Sequence, residues 1–321
     1  MANQIEKLNN IAITSIEALN TLTDAQMEKV NGLEFTGTVE IVFEAGGTLS
    51  TARTRCCGFG RARNASLVTS GRSTGSTNLT STEIYGGSSF SGGNPTTSAR
   101  ATAGGCGSLT DGLVFGGNTS GVRKTVEEYD GSFTNGGTAS SVGGDGSYCA
   151  GTGADALMVG GYIDRYRDDV ERYTAATNNF ATKAPSPANL NYGGMMGSTV
   201  DGAIYVGGHN GSDLTSTYKY DASGNSWSTE DTLTNARFVY ASTGTATDCV
   251  ITGGTRFGNN DAEEFNGTNW SATSNAPGAS LDLYSPSDNV HSGGTTAGVS
   301  FGGGTGSAES TGTNQSLHVN R

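Results

Sequence analysis

The hydrophobic positions fall in short clusters, not in long amphipathic stretches. Five apolar runs end in a glycine doublet: Leu113-Val114-Phe115-Gly116-Gly117, Leu157-Met158-Val159-Gly160-Gly161, Ile204-Tyr205-Val206-Gly207-Gly208, Val250-Ile251-Thr252-Gly253-Gly254 and Val299-Ser300-Phe301-Gly302-Gly303. Leu67-Val68-Thr69-Ser70-Gly71 is a degraded sixth copy. The closing glycines are spaced by 46, 44, 47, 46 and 49 residues. A period of this size marks a repeat architecture. Two further marks keep step with it. An aromatic follows 11 to 14 residues on, at Tyr85, Tyr129, Tyr173, Tyr220 and Phe265, and a second one 4 to 7 residues later, at Phe90, Phe133, Phe180, Trp227 and Trp270. A Gly/Ala/Ser-rich run, such as residues 139–153, precedes each doublet.

Each unit therefore predicts four short strands: a small-residue strand, the apolar strand ending in Gly-Gly, a charged strand carrying the first aromatic, and an outer strand carrying the second. Small side chains suit strands crowded around an axis, large aromatics suit strands where neighbouring sheets splay, and the doublets permit positive φ at a turn. Sheets repeated radially in this way make a β-propeller. Residues 38–321 divide into six units of about 47 residues, so six blades are expected. The last unit lacks an outer strand after Ser316-Leu317-His318-Val319, and Thr38-Val39-Glu40-Ile41-Val42-Phe43 is expected to supply it and close the ring.

The unit resembles the kelch repeat: apolar run, Gly-Gly, about a dozen residues, Tyr, about six residues, Trp. The Trp stands in two units and Phe replaces it in three. The resemblance implies an all-β, six-bladed kelch-type propeller, similar to the central domain of galactose oxidase. Its copper site would need two histidines and two tyrosines on one metal. Here His209, His291 and His318 fall at unrelated places in their units, so no copper site, no other metal and no cofactor is expected.

Residues 1–36 are set apart as a second segment, with residues 37–321 as the propeller. Ile5-Glu6-Lys7-Leu8-Asn9-Asn10-Ile11 is echoed by Ile16-Glu17-Ala18-Leu19-Asn20-Thr21-Leu22 and again by Met27-Glu28-Lys29-Val30-Asn31-Gly32-Leu33, in steps of 11 residues. Each copy predicts one or two helical turns, with Asn20 and Asn31-Gly32 as left-handed stops. So short a helix is unstable alone in water, and its apolar side chains need a partner. Ile5, Leu8, Ile11, Ile16, Leu19, Leu22, Met27 and Val30 are the candidate docking residues. Such units ahead of a glycine-rich β-domain resemble the N-termini of virion proteins of tailed bacteriophages. The resemblance implies a non-enzymatic structural component of a tail, neck or fibre, held in a symmetric multi-copy assembly with other virion proteins. A cellular kelch-type scaffold and a carbohydrate-active enzyme are the alternatives.

Composition and charge narrow the partners. Glycine supplies 51 of 321 residues, charged residues only 15%, and the glycines have no period of three, which excludes helical bundles and collagen-like rods. The net charge of −12 disfavours nucleic-acid binding. No apolar run is long enough for a membrane span, and residues 1–10 lack a signal-peptide core, so synthesis in a host cytoplasm and residence in a virion are expected. Five cysteines, Cys56, Cys57, Cys106, Cys149 and Cys249, are expected as reduced, buried strand residues. The acid-rich stretches at 164–169 and 259–261 do not match a calcium loop. One basic stretch stands out: Arg53, Arg55, Arg61, Arg63 and Arg72, with no acid between residues 45 and 82. It predicts either a patch for an anionic partner, such as a host-surface glycan, or salt bridges to neighbouring blades.

Overall fold

The computed structural model describes residues 7–8, 11–12, 29–30, 33–34, 40–62, 64–73, 77–238, 240–254, 261–273, 299–301 and 313–319. The chain divides into two compact units, Met1–Glu40 with Val319–Arg321, and Ile41–His318.

In the smaller unit β1 (Lys7–Leu8) pairs antiparallel with β2 (Ile11–Ala12), and β3 (Lys29–Val30) with β4 (Leu33–Glu34). These pairs replace the expected helical turns of the first and third copies, and the second copy, residues 16–22, lies outside the described residues. Asparagine and glycine favour left-handed backbone both at a helix stop and in a two-residue hairpin loop. Asn9-Asn10 and Asn31-Gly32 stand between paired strands, so the hairpin prevails. It sets Leu8 opposite Ile11 and Val30 opposite Leu33, a cross-strand pairing that one isolated helical turn lacks. Of the candidate docking residues, Leu8, Ile11 and Val30 lie on these strands. Ile5, Ile16, Leu19, Leu22 and Met27 lie outside the described residues.

The larger unit opens with β5 (Glu40–Ala45). Blade one is β6 (Cys57–Ala62), β7 (Ala65–Thr69), β8 (Thr82–Tyr85) and β9 (Phe90–Gly93). Blade two is β10 (Gly104–Ser108), β11 (Asp111–Phe115), β12 (Thr125–Tyr129) and β13 (Phe133–Thr138). Blade three is β14 (Tyr148–Gly151), β15 (Asp155–Val159), β16 (Val170–Thr174) and β17 (Asn179–Thr182). Blade four is β18 (Gly194–Met196), β19 (Ile204–Val206), β20 (Thr217–Asp221) and β21 (Ser226–Thr229). Blade five is β22 (Ala241–Gly244), β23 (Cys249–Thr252), β24 (Ala262–Phe265) and β25 (Trp270–Thr273). Every blade is an antiparallel meander in chain order.

Among the described residues, five four-stranded blades, not six, make up this β-propeller. The remaining strands, β26 (Val299–Phe301) and β27 (Thr313–Val319), form a three-stranded sheet with β5 in the order β26-β27-β5. The expected count came from dividing length by period. A glycine doublet marks only the second strand of a unit, and the stretch expected to hold the first strand of the last unit lies outside the described residues.

The two periodic aromatics meet across the outer strand pair of every blade. Tyr85 stands opposite Phe90, Tyr129 opposite Phe133, Tyr173 opposite Phe180, Tyr220 opposite Trp227 and Phe265 opposite Trp270. Their ring centroids are 4.7 to 5.1 Å apart. Inward of them, the core is a series of wedges between successive sheets. Cys106, Leu113 and Phe115 of blade two pack with Cys149, Met158 and Tyr173 of blade three. Leu157 and Tyr148 pack in turn with Met195 and Tyr205 of blade four. All five cysteines are buried and unbridged.

The doublets stitch blades together. Both glycines carry positive φ, as at Gly116 (69°) and Gly117 (84°), and Ser70 takes the first place at 61° in blade one. A Cβ on Gly117 would stand 2.6 Å from the Ala101 carbonyl oxygen, so the second position admits no side chain. Its N–H donates to the following blade: Gly71 to the Arg100 carbonyl at 2.8 Å, Gly161 to Leu190 at 3.1 Å and Gly208 to Arg237 at 2.9 Å.

Candidate functional site at the loop end of the propeller

The basic stretch does not form one patch. Arg53 is fully buried and pairs with Glu83 at 2.8 Å, which corrects its assignment to an anion-binding surface. Arg72 donates from Nε to Asn78 Oδ1 at 3.0 Å at the end of the propeller where the doublets lie. Arg55 lies at that same end, just ahead of β6, and Arg61 lies at the far end of β6. Arg63 lies outside the described residues.

Arg53 instead belongs to a recurring internal clamp. Arg100 pairs with Glu127, and Arg237 with Glu263 at 2.5 Å, each guanidinium fully buried. Each arginine donates to the carbonyl of the first doublet position (Ser70, Gly116 or Gly253) and to a second carbonyl ahead of or within the third strand. Each glutamate also holds the loop that enters its blade: Glu83 accepts from the N–H of Ser50 and Thr51, Glu127 from Thr97, and Glu263 from Thr234. Burial lowers the Arg100 pKa, and Glu127 opposes that shift. Blade three keeps the glutamate, Glu171, and satisfies it with Ser140 and Ser141. Blade four has lost both partners together: Leu190 takes the arginine's place, and Tyr218 takes the glutamate's place opposite Tyr205. A buried charge needs a partner: blade three supplies serine donors in place of the arginine, and blade four keeps neither charge. The sequence signal for the clamp is an arginine 16 or 17 residues ahead of the first doublet position matched to a glutamate two before the first periodic aromatic, a pairing that composition does not reveal.

At the loop end, one residue precedes the inner strand of blades one to four in left-handed backbone: Arg55 (φ 54°), Thr102 (57°), Gly146 (66°) and Tyr192 (54°). A chain of backbone bonds joins them from blade to blade. Thr102 N–H donates to Arg55 O at 2.9 Å, Gly146 to Thr102 at 3.1 Å and Tyr192 to Gly146 at 3.3 Å. Left-handed backbone at three non-glycine residues is strained and persists only where surroundings enforce it, which makes this collar a candidate for function.

The residue after each doublet stands beside the collar, fixed by single-residue bridges such as Ala101 with Asn118 and Asp145 with Tyr162. Its identity changes from blade to blade: Arg72, Asn118, Tyr162, His209. Four side chains of unlike chemistry thus stand at one backbone position of successive blades.

Across blades three to five, five rings form a continuous row. Tyr162 meets Tyr166 at 5.4 Å between centroids, Tyr166 meets His209 at 5.7 Å, His209 meets Phe238 at 5.0 Å, and Phe238 meets Tyr192 at 6.4 Å. Tyr162 is 40% exposed. Polar groups back the row. Tyr192 donates to Asp145 Oδ2 at 2.8 Å, and its hydroxyl pKa is pushed up by burial first and Asp145 second. His209 Nδ1 lies 2.8 Å from Asp213 Oδ1, a contact that favours the tautomer with the proton on Nδ1 and leaves Nε2 as an acceptor. Asp145 Oδ1, Tyr148 Oη and both side-chain polar atoms of Asn191 are buried with no protein partner among the described residues. Half-buried rings with a histidine edge among them suit a ligand with apolar faces and hydroxyl edges.

The acid-rich stretch at 164–169 is held within its own loop, Arg167 bonding Asp164 at 2.8 Å and Asp169 at 3.3 Å. Among the described residues no three His, Cys, Asp or Glu side chains gather closely enough to hold a metal ion.

These features define a β-propeller with a ring-lined loop face, and solved structures agree on the fold. One of them, described as the structure of YjhT, superposes with a TM-score of 0.66 over 84% of this chain and 95% of its own. The identity is 12%, so the likeness concerns fold alone. No family model matches the sequence, and no curated protein matches it.

Proposed function

We propose that this protein is a non-enzymatic, kelch-type propeller component of a tailed-bacteriophage virion, whose N-terminal segment anchors it to other virion proteins and whose loop face binds a host-surface glycan. The row Tyr162, Tyr166, His209, Phe238 and Tyr192 carries the reading of the face. Rings of this kind stack on the apolar faces of sugars, while the His209 imidazole, held by Asp213, offers a polar edge to hydroxyl groups. The anchoring half rests on the 11-residue repeat with apolar positions in each copy. Many copies on a symmetric particle would add avidity to a weak single site.

A glycan array probed with the purified full chain tests the face. The wild type is expected to bind at least one saccharide class. The double substitution Tyr166→Ala with His209→Ala is expected to weaken that binding by about tenfold or more, roughly 1.4 kcal/mol, at an unchanged far-UV spectrum. Equal binding by the variant, or no binding by the wild type to any saccharide, overturns the glycan reading.

A further inference from the structure

The opposite end of the inner strands carries a second feature, distinct from the ring-lined face. Gly107, Gly151, Gly197 and Gly244 occupy one position in successive blades, with φ of 100°, 112°, 148° and 115°. The next residue is Ser108, Thr152, Ser198 or Thr245 in those blades, and Arg61 in blade one. With Ser198, Thr245 and the glycines, Arg61 lines a cavity of about 200 Å³.

Two observations set Arg61 apart. The β6–β7 register shifts between Gly60 and Ala62, so Arg61 sits on a bulge, a device that re-aims a side chain. Its Nη2 crosses to other blades, donating to Ser198 O at 2.9 Å and Gly151 O at 3.4 Å. Holding an exposed arginine in one rotamer costs up to about 2 kcal/mol of side-chain entropy, so this placement is specific. Nε and Nη1 have no hydrogen-bond partner among the described residues, and neither has Ser198 Oγ. No carboxylate among the described residues lines the cavity. Three aspartates of the neighbouring hairpins are engaged elsewhere: Asp111 with the Ala154 N–H, Asp155 with Arg172, and Asp201 with the Ala222 N–H.

We propose that this cavity binds a small oxyanion, a carboxylate or a phosphate group, on the Arg61 guanidinium. Nη2 stays on the two carbonyls, while Nε–H or Nη1–H donates a single charge-assisted hydrogen bond to an oxyanion oxygen. Ser198 Oγ supplies a further donor. A water occupies about 30 Å³ of liquid, so the cavity has room for a molecule several times that size behind the charged group.

Calorimetric titration of the full chain at constant ionic strength tests the site, with sodium succinate in one arm and inorganic phosphate in the other. The arms separate a carboxylate source from a phosphate source. Saturable binding of at least one probe is expected, at a Kd on the order of 1 mM. Arg61→Gln is expected to weaken it at least tenfold, while Arg165→Gln, which removes an exposed loop arginine, leaves it unchanged. Arg61→Lys keeps the charge but loses the guanidinium that is anchored through Nη2, and is expected to weaken binding severalfold if Arg61→Gln fails to fold. No saturable binding to the wild type, or equal affinity in the Arg61 variants, overturns the proposal. Glycan binding at the ring-lined face is independent of Arg61, so the two sites fail or succeed separately.

Discussion

Arg100 shows how much of this wheel hangs on single buried charges. Its guanidinium joins Glu127, the Gly116 carbonyl and the Thr125 carbonyl in one buried network, and its own carbonyl receives the Gly71 N–H of the preceding blade. Arg100→Ala leaves Glu127 buried without its counter-ion, and chemical denaturation should show a loss of about 3–5 kcal/mol. Blade four supplies the remedy. The double substitution Arg100→Leu with Glu127→Tyr copies Leu190 and Tyr218, and is expected to recover most of that loss. No recovery would mean that the paired replacement in blade four does not transfer. The cysteines give a second test at this scale. Burial pushes the Cys57 thiol up to about 12 and raises Cys149 and Cys249 well above their usual value. The folded protein should therefore be silent to a thiol reagent at pH 8, and all five thiols should react once it is denatured. Fast reaction of the native protein would contradict the packing.

Strands and turns were largely legible in the sequence because their constraints are local. A doublet that must take positive φ, and an aromatic that must meet another across the outer strand pair, leave marks at fixed spacing. Gly117→Ala puts a side chain on left-handed backbone against the Ala101 carbonyl. Thermal unfolding should register a loss of about 1–3 kcal/mol; a neutral result would mean that the blade contact yields more easily than its geometry implies. Elements whose residues are ambiguous were misread. Asn31-Gly32 serves a helix stop and a hairpin equally well, and only the pairing of Val30 with Leu33 decides between them. The ring-lined face was illegible for a different reason. Tyr166, His209 and Phe238 come from separate loops and are gathered by the arrangement of blades, which no linear spacing encodes. The arginine stretch failed in the same way: a six-residue strand separates Arg55 from Arg61's end of the propeller, while Arg53 turns inward to Glu83.

At the scale of the whole molecule, the propeller supplies rigidity and two ends with unlike chemistry. Loops carry binding because the scaffold beneath them is held independently. Here the scaffold is held by interblade wedges, buried Arg–Glu clamps and doublet-to-blade hydrogen bonds, none of which draws on the five rings of the loop face. The face can therefore change without unfolding the wheel, and Tyr162→Ala should alter stability by no more than about 0.5 kcal/mol. In the function proposed, the N-terminal segment has the separate task of attachment. The most direct measurement of that division of labour is the composition of purified particles assembled with the chain lacking residues 1–36. The account predicts a folded propeller that is absent from the particles; retention at the wild-type copy number would contradict it.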